Sequence, residues 1–128
     1  MNKNTRLKVY NKFDGKCAYT GQYLGDDWQV DHMTSKYVHG YSKIEGDVDD
    51  IKNLIPALRI VNHYKREKGL ESFRRYMLTF HERLSKLPKK TSVPATERRI
   101  IYMNKIADAF GITTEKPFDG VFYFEKLK

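Results

Sequence analysis

The sequence contains 128 residues, enough for one domain of ordinary size and too few for two domains with separate cores. Hydrophobic residues make up 40%, so we expect a folded protein rather than a disordered or collagen-like one. No apolar run approaches the roughly 18 residues of a membrane span, and the N-terminal residues lack the apolar stretch of a secretory signal. We therefore expect a cytoplasmic protein. The single cysteine, Cys17, excludes an internal disulfide and a four-cysteine zinc site.

The basic residues are unevenly distributed along the chain. Lysines and arginines number 24 against 16 acidic residues, giving a net charge of +8. Residues 65–105 contain twelve basic and four acidic residues, so this third of the chain carries the whole excess. Such a concentration is typical of a surface that contacts a phosphate backbone, but a solvated helix face gives the same pattern. The charge favours a nucleic-acid partner without deciding the function.

The first half of the chain predicts two helices and two short strands. Residues 5–13 have apolar side chains at helical spacing and precede an Asp-Gly pair that ends a helix. Residues 28–32 alternate apolar and polar side chains, as a half-buried strand does. Residues 53–58 predict only a short extended piece, because their proline lacks a backbone donor. Residues 59–68 predict a helix ended by a glycine, and polar residues 34–50 predict a long loop.

The second half of the chain predicts mainly helices. Residues 71–87 have apolar side chains at spacings of three and four, with basic residues off that stripe and a proline after it. Residues 94–110 predict a second helix, which begins at a proline and ends before a glycine. Residues 121–124 form a β-prone tail that we expect to pack on the domain.

Several polar residues stand out by their type and order. They are Asp31, His32, Asn53, Asn62 and Lys65. The first asparagine follows the Asp-His pair after 21 residues and precedes a leucine, the second follows nine residues later, and the lysine comes three residues after that. This run resembles the HNH nuclease family, and the resemblance covers about half of the chain, from residue 11 to residue 73.

The resemblance implies an α+β fold with a ββα-metal nuclease core at about residues 11–70, preceded by an N-terminal helix. A basic helical extension over residues 71–111 and a β-prone tail over residues 112–128 would complete a single HNH domain. The implied activity is metal-dependent hydrolysis of DNA phosphodiester bonds. Many small HNH proteins are encoded by phages and mobile elements, so the resemblance also implies such an origin.

The chemistry of phosphodiester hydrolysis explains the residue types. The reaction needs a base to take a proton from water and positive charge near the phosphate and the leaving oxygen. His32 would be the general base, and the resemblance assigns the orientation of its ring to Asn53. Asp31 and Asn62 would supply oxygen ligands to one Mg²⁺ or Mn²⁺ ion. His63 would need a register shift of its helix to serve as a ligand, because it points about 100° away.

The sequence departs from the fuller family pattern in two places. Many relatives carry two Cys-x-x-Cys pairs that hold a structural zinc ion, whereas this chain has Cys17 and Thr20 at the first pair and Leu58 and Val61 at the second. We therefore expect no structural zinc and predict that hydrophobic packing replaces it. The second departure is Asn62 in place of the more common histidine. This variant resembles the HNH domains of CRISPR effector nucleases, and it favours Mg²⁺ over softer ions.

The basic side chains near the motif are candidate nucleic-acid contacts: Lys65, Arg66, Lys68, Arg74 and Arg75. The expected partner is double-stranded DNA, and a double-strand break would require either a homodimer or two successive cuts. A cluster of aspartates, Asp47, Asp49 and Asp50, lacks the spacing of a calcium loop, and we interpret it as a turn. One alternative is a catalytically inactive nucleic-acid-binding module with an HNH-like fold. Another is an interaction protein whose basic face binds an acidic partner.

Overall fold

A computed structural model describes residues 1–34 and 49–127. The chain divides into two compact units, the first comprising Met1–Phe73 with Phe122–Lys128 and the second Arg74–Val121. The sequence predicted a single domain, with a boundary between core and extension near residue 70. The predicted loop over residues 34–50 lies almost wholly outside the described residues. Among the described helices, none is both long and apolar enough to cross a membrane.

The first unit contains a small antiparallel sheet with helices beside it. Helix α1 spans Lys3–Asn11, strand β1 spans Gln29–His32, strand β2 spans Leu54–Ala57 and helix α2 spans Arg59–Lys65. The strands pair along their whole length. Helix α1 packs against β2, and α2 packs against β1. This mixture of helix and sheet confirms the predicted α+β class.

The strands meet in a register that the sequence pattern explains. His32 pairs with Leu54, and Gln29 pairs with Ala57. All four residues of β2 are buried, because both faces of this apolar strand are covered. A 3₁₀ turn at Ile51–Asn53 leads into β2. The end of β1 therefore lies beside the start of β2, and this arrangement brings Asp31 and His32 close to the chain around residue 53.

The core of the first unit includes an aromatic cluster from three distant parts of the chain. Tyr19, Phe73 and Phe122 are each no more than 1% exposed. The Tyr19 ring meets Phe73 and Phe122 edge-on, with centroids 5.3 and 5.1 Å away, and the two phenylalanine rings stack at 5.5 Å. Such contacts add to the stabilisation from burial, so the C-terminal segment is part of this core.

The C-terminal segment packs on the domain as predicted, but its predicted β character is wrong. Residues Tyr123–Lys126 form helix α6, a single turn. The Phe122 backbone N–H donates a 2.8 Å hydrogen bond to the Glu125 carboxylate, which satisfies one of the donors that a helix start leaves free. This local cap, together with the burial of Phe122, outweighs the β propensity of the aromatic run.

Cys17 and Leu58, which the resemblance aligns with zinc ligands, contact each other in the first unit. Cys17 and Val61 are fully buried. The Leu58 backbone N–H donates to the Cys17 Sγ over 3.5 Å. Cys17 and Val61 are therefore part of the core of the first unit.

The second unit is helical. Helix α3 spans Leu70–Leu78 and crosses the division between the units, α4 spans Phe80–Ser85, and α5 spans Pro94–Phe110. Within this unit α4 packs against α5. The predicted helix over residues 94–110 is confirmed, and it ends at Gly111 with a positive φ of 72°.

The predicted continuous helix over residues 71–87 is wrong, because the chain breaks at Thr79. The backbone of Thr79 has φ −107° and ψ 8°, outside the helical range. Its hydroxyl donates to the Tyr76 carbonyl over 3.2 Å, and the Arg83 guanidinium donates to the same carbonyl over 2.6 Å. These side chains satisfy a carbonyl that a continuous helix would pair with a backbone N–H.

Candidate functional site

A cavity of about 520 Å³ lies in the first unit, between the end of β1 and helix α2. Its lining includes Asp31, His32, Asn62, His63, Arg66 and Glu67. Strand β1 supplies the Asp-His pair, α2 supplies the asparagine, and the turn after α2 supplies the last two residues. The cavity therefore collects three of the four residues that the sequence assigned to catalysis and metal binding.

Asp31 is a buried carboxylate held by two side-chain donors and by the His32 backbone. Only 6% of the residue is exposed. The Tyr19 hydroxyl donates a hydrogen bond to Oδ2, and the Lys65 Nζ lies 3.1 Å from Oδ2 and 3.3 Å from Oδ1. Burial raises the pKa of Asp31 above its ordinary value of 3.8, although the Lys65 charge and the Tyr19 hydrogen bond oppose the shift. Burial, reinforced by the Asp31 charge, also raises the pKa of Tyr19 well above 10.0.

Lys65 is fully buried, whereas the sequence predicted that it contacts a phosphate. Its Nζ pairs with Asp31 and donates a 3.0 Å hydrogen bond to the His32 carbonyl. A lysine is rarely buried unless it is paired, and Lys65 pairs with both the Asp31 carboxylate and the His32 carbonyl. Its role is therefore to join α2 to the end of β1 behind the cavity.

The His32 ring is oriented by an aspartate that the sequence pattern assigned to a turn. The His32 side chain is 21% exposed, and its Nε2 lies 2.8 Å from the Asp49 Oδ1. Because a carboxylate accepts hydrogen bonds, this contact favours a proton on Nε2 and leaves a lone pair on Nδ1. The neighbouring Asp50 does act as a turn residue, since its side chain accepts from the Lys52 N–H over 2.9 Å.

Asn53 contacts the backbone that follows His32. Its Oδ1 accepts from the Thr34 N–H over 2.8 Å, and its Nδ2 donates to the Thr34 carbonyl over 3.0 Å. The Asn53 carbonyl also accepts from the Met33 N–H over 2.9 Å. The resemblance assigned the orientation of the His32 ring to this residue, whereas these bonds fix the chain on which His32 is carried.

Asn62 projects from α2 toward β1, where it meets Gln29. The Asn62 Nδ2 donates to the Gln29 Oε1 over 2.7 Å. Gln29 lies two residues before Asp31, so both side chains leave the same face of β1. With its nitrogen engaged, the amide of Asn62 has its Oδ1 available to a ligand.

Helix α2 ends at Lys65, three residues before the predicted end, because Arg66 leaves the helical conformation. Arg66 has φ 56° and ψ −134°, values that match the glycine position of a type II′ turn. The Lys68 N–H closes this turn on the Lys65 carbonyl over 3.3 Å. An arginine in such a conformation costs about 1–3 kcal/mol of strain.

The other predicted nucleic-acid contacts are not part of the cavity lining that the structure describes. Lys68 is half-buried. Arg74 is also half-buried and donates to the Gly120 carbonyl over 2.7 Å, so it supports the fold of the second unit. Arg75 is exposed. Of the five candidates, Arg66 is the one that the cavity includes.

In comparisons with family models, with curated proteins and with solved structures, nothing matched this chain.

Sequence reasoning missed three residues that act directly on the predicted site: Tyr19, Gln29 and Asp49. The period of two along β1 could have identified Gln29, since it shares a face with Asp31. Asp49 belongs to the aspartate cluster that the sequence analysis interpreted as a turn. An aspartate can also orient a histidine ring, and that role was not considered. No sequence pattern pointed to Tyr19, because only the tertiary fold brings its hydroxyl to Asp31.

Asp31 and Asn62 could hold a divalent metal ion at the cavity wall. A carboxylate oxygen and an amide oxygen suit Mg²⁺ or Mn²⁺, which bind through few protein ligands and keep several waters. Within residues 1–34 and 49–127, no three His, Cys, Asp or Glu side chains gather into a metal-binding group. The donor set fits such an ion only if Asn62, water and substrate supply the remaining ligands.

Proposed function

We propose that this protein is a metal-dependent endonuclease of the HNH type that hydrolyses DNA phosphodiester bonds. The observation that carries the proposal is the cavity, which brings Asp31, His32 and Asn62 together from β1 and α2. The order of two antiparallel strands followed by a helix also agrees with a ββα-metal nuclease core. These residues are the ones that the family resemblance assigns to the reaction.

His32 acts as the general base in this proposal. Its Nδ1 lone pair takes a proton from the water that attacks the phosphorus, while Nε2 keeps its hydrogen bond to Asp49. Asp49 stabilises the positive charge that the imidazole gains, in the same way that an aspartate supports a histidine base in other hydrolases. Asn53 holds the backbone at Thr34, just after His32, and Lys65 holds the carbonyl of His32 itself.

Mg²⁺ or Mn²⁺ bound by Asp31 and Asn62 would stabilise the negative charge on the phosphate and on the departing oxygen. Gln29 keeps the Asn62 amide in the orientation that leaves its oxygen available. Tyr19 and Lys65 hold Asp31 at the cavity wall.

The substrate in this proposal is double-stranded DNA. The net charge of +8 favours a polyanion, and its concentration in residues 65–105 supports contacts with a phosphate backbone. One such site cuts one strand, so nicking is the expected primary product. A homodimer would be needed for a concerted double-strand break.

The test is plasmid cleavage with Mg²⁺ or Mn²⁺. The parent should convert supercoiled plasmid to nicked product, and His32→Ala should lose this activity without losing the fold, as measured by circular dichroism. The matched control is His63→Ala, because His63 lines the same cavity but has no part in the proposed chemistry. Cleavage by His32→Ala at the parental rate would refute the proposal.

A second candidate function is a catalytically inactive nucleic-acid-binding module. The observation that favours it is the pairing of Asp31 with both Lys65 and Tyr19, which a structural carboxylate would also show. DNA binding that persists in EDTA, with no strand scission in Mg²⁺ or Mn²⁺, would support this candidate over the endonuclease.

A further inference from the structure

Arg66 adopts a backbone conformation that glycine normally occupies, and it does so at the edge of the cavity. Its φ is 56°. The other non-glycine residue with positive φ in the described chain is Asp14, at 54°. Aspartate tolerates this region because its short side chain can bond locally, whereas arginine has no such compensation. The strain at Arg66 is therefore the less expected of the two.

Arg66 also supplies positive charge where the cavity otherwise has little. Among the lining residues that the structure describes, it is the one lysine or arginine, and it lies beside the carboxylates of Asp31 and Glu67. Lys65, the nearest basic residue in the sequence, is buried and paired with Asp31. Arg66 itself is exposed, and its guanidinium has no hydrogen-bond or ion-pair partner among the described residues. A phosphate entering this cavity would need a cation, and a guanidinium matches two phosphate oxygens at once.

We propose that Arg66 is a catalytic residue that binds the scissile phosphate, and that its positive φ directs the guanidinium into the cavity. This inference rests on the proposed function, since the phosphate belongs to the nucleic-acid substrate. The proposal also moves the predicted phosphate contact from Lys65 to Arg66. Glycine adopts this conformation without strain, so the arginine contributes its side chain and not an easier backbone.

The test uses Arg66→Gly in the full-length protein, because this change acts on stability and function in opposite directions. Relief of the strain should raise the melting temperature by about 3 °C or more. Loss of one phosphate contact should reduce the slope of log K against log salt by about 0.9 for a short DNA duplex in EDTA. Loss of charge stabilisation at the phosphate should lower kcat about 100-fold in the presence of Mg²⁺.

Two control variants separate charge from backbone strain. Arg66→Lys keeps both the charge and the strain, so its melting temperature and salt slope should equal those of the parent, while its rate falls partly because an ammonium cannot form the two-pronged contact. Asp14→Gly relieves strain away from the cavity, so it should raise the melting temperature and leave kcat unchanged.

The inference can fail separately from the proposed function. An Arg66→Gly protein with an unchanged melting temperature or an unchanged salt slope overturns the inference, whatever the parent does to plasmid. If the parent binds DNA but cuts none with either metal ion, the proposed hydrolysis and the catalytic role of Arg66 both fail. A stabilised Arg66→Gly variant with a reduced salt slope would then still identify Arg66 as a phosphate contact.

Discussion

Removal of Lys65 should destabilise the first unit strongly, and the loss should depend on pH. Lys65→Met keeps most of the side-chain volume but leaves the buried Asp31 without its cation. Breaking a buried ion pair from one side costs about 3–5 kcal/mol at neutral pH. Since the total free energy of unfolding of a domain is about 5–15 kcal/mol, the variant should fold but unfold at a much lower urea concentration.

The pH dependence follows from the direction of the Asp31 pKa. Burial raises that pKa in the folded protein, and without the opposing Lys65 charge it should rise further. The folded state of Lys65→Met then binds a proton more tightly than the unfolded state does. Its stability is greatest below the ordinary value of 3.8 and falls as the pH rises through the folded pKa. The deficit relative to the parent should therefore shrink at pH 4.

Urea denaturation monitored by fluorescence measures this effect directly. Trp28 is the one tryptophan in the chain, and it is buried in the first unit. The matched control is Lys8→Met, which removes an exposed lysine from α1 and should change stability by less than about 0.5 kcal/mol. The double variant Asp31→Asn with Lys65→Met should recover much of the loss. A deficit below about 1 kcal/mol, or one that is equal at pH 4 and pH 7, would refute the reasoning.

Three further predictions concern the surroundings of the site. Tyr19→Phe should lower the free energy of unfolding by about 1–3 kcal/mol, because it removes a donor from a buried carboxylate, whereas Tyr23→Phe on the surface should have little effect in the same urea assay. Asp49→Asn should reduce kcat about 10- to 100-fold in the plasmid assay with DNA affinity retained, and Asp50→Asn should leave kcat unchanged; equal rates would exclude Asp49 as the orienting acid. If six phosphates are contacted, DNA affinity measured by fluorescence anisotropy should fall about a thousandfold between roughly 50 and 200 mM salt, and a flat response would exclude a backbone-dominated footprint.

The elements that sequence could predict are those with a strong local pattern. The alternation in residues 28–32 identified β1, and a proline start with a glycine end identified the helix over residues 94–110. The resemblance also led to the expectation that Asp31, His32 and Asn62 lie close together, and all three line one cavity. Each of these signals lies within one element or in a fixed spacing between neighbouring elements.

The features that sequence could not predict depend on contacts between distant residues. The burial of Lys65 follows from the packing of α2 on β1, and a surface lysine has the same local sequence signature. The break at Thr79 depends on an arginine that bonds back to a carbonyl seven residues earlier, which the apolar stripe does not reveal. Arg66 was predicted inside a helix, because arginine is a good helix former and no local sequence pattern indicates its positive φ.

The position of a bound metal ion decides whether Asp31 and Asn62 form one metal site. Crystals of the protein soaked in Mn²⁺ and measured at the manganese absorption edge would locate the ion by its anomalous scattering. The account predicts a peak in the cavity about 2.1 Å from a carboxylate oxygen of Asp31 and from the Asn62 Oδ1, with His32 facing the same space. A map with no peak in the cavity, while Asp31 remains paired with Lys65 and Tyr19, would contradict it.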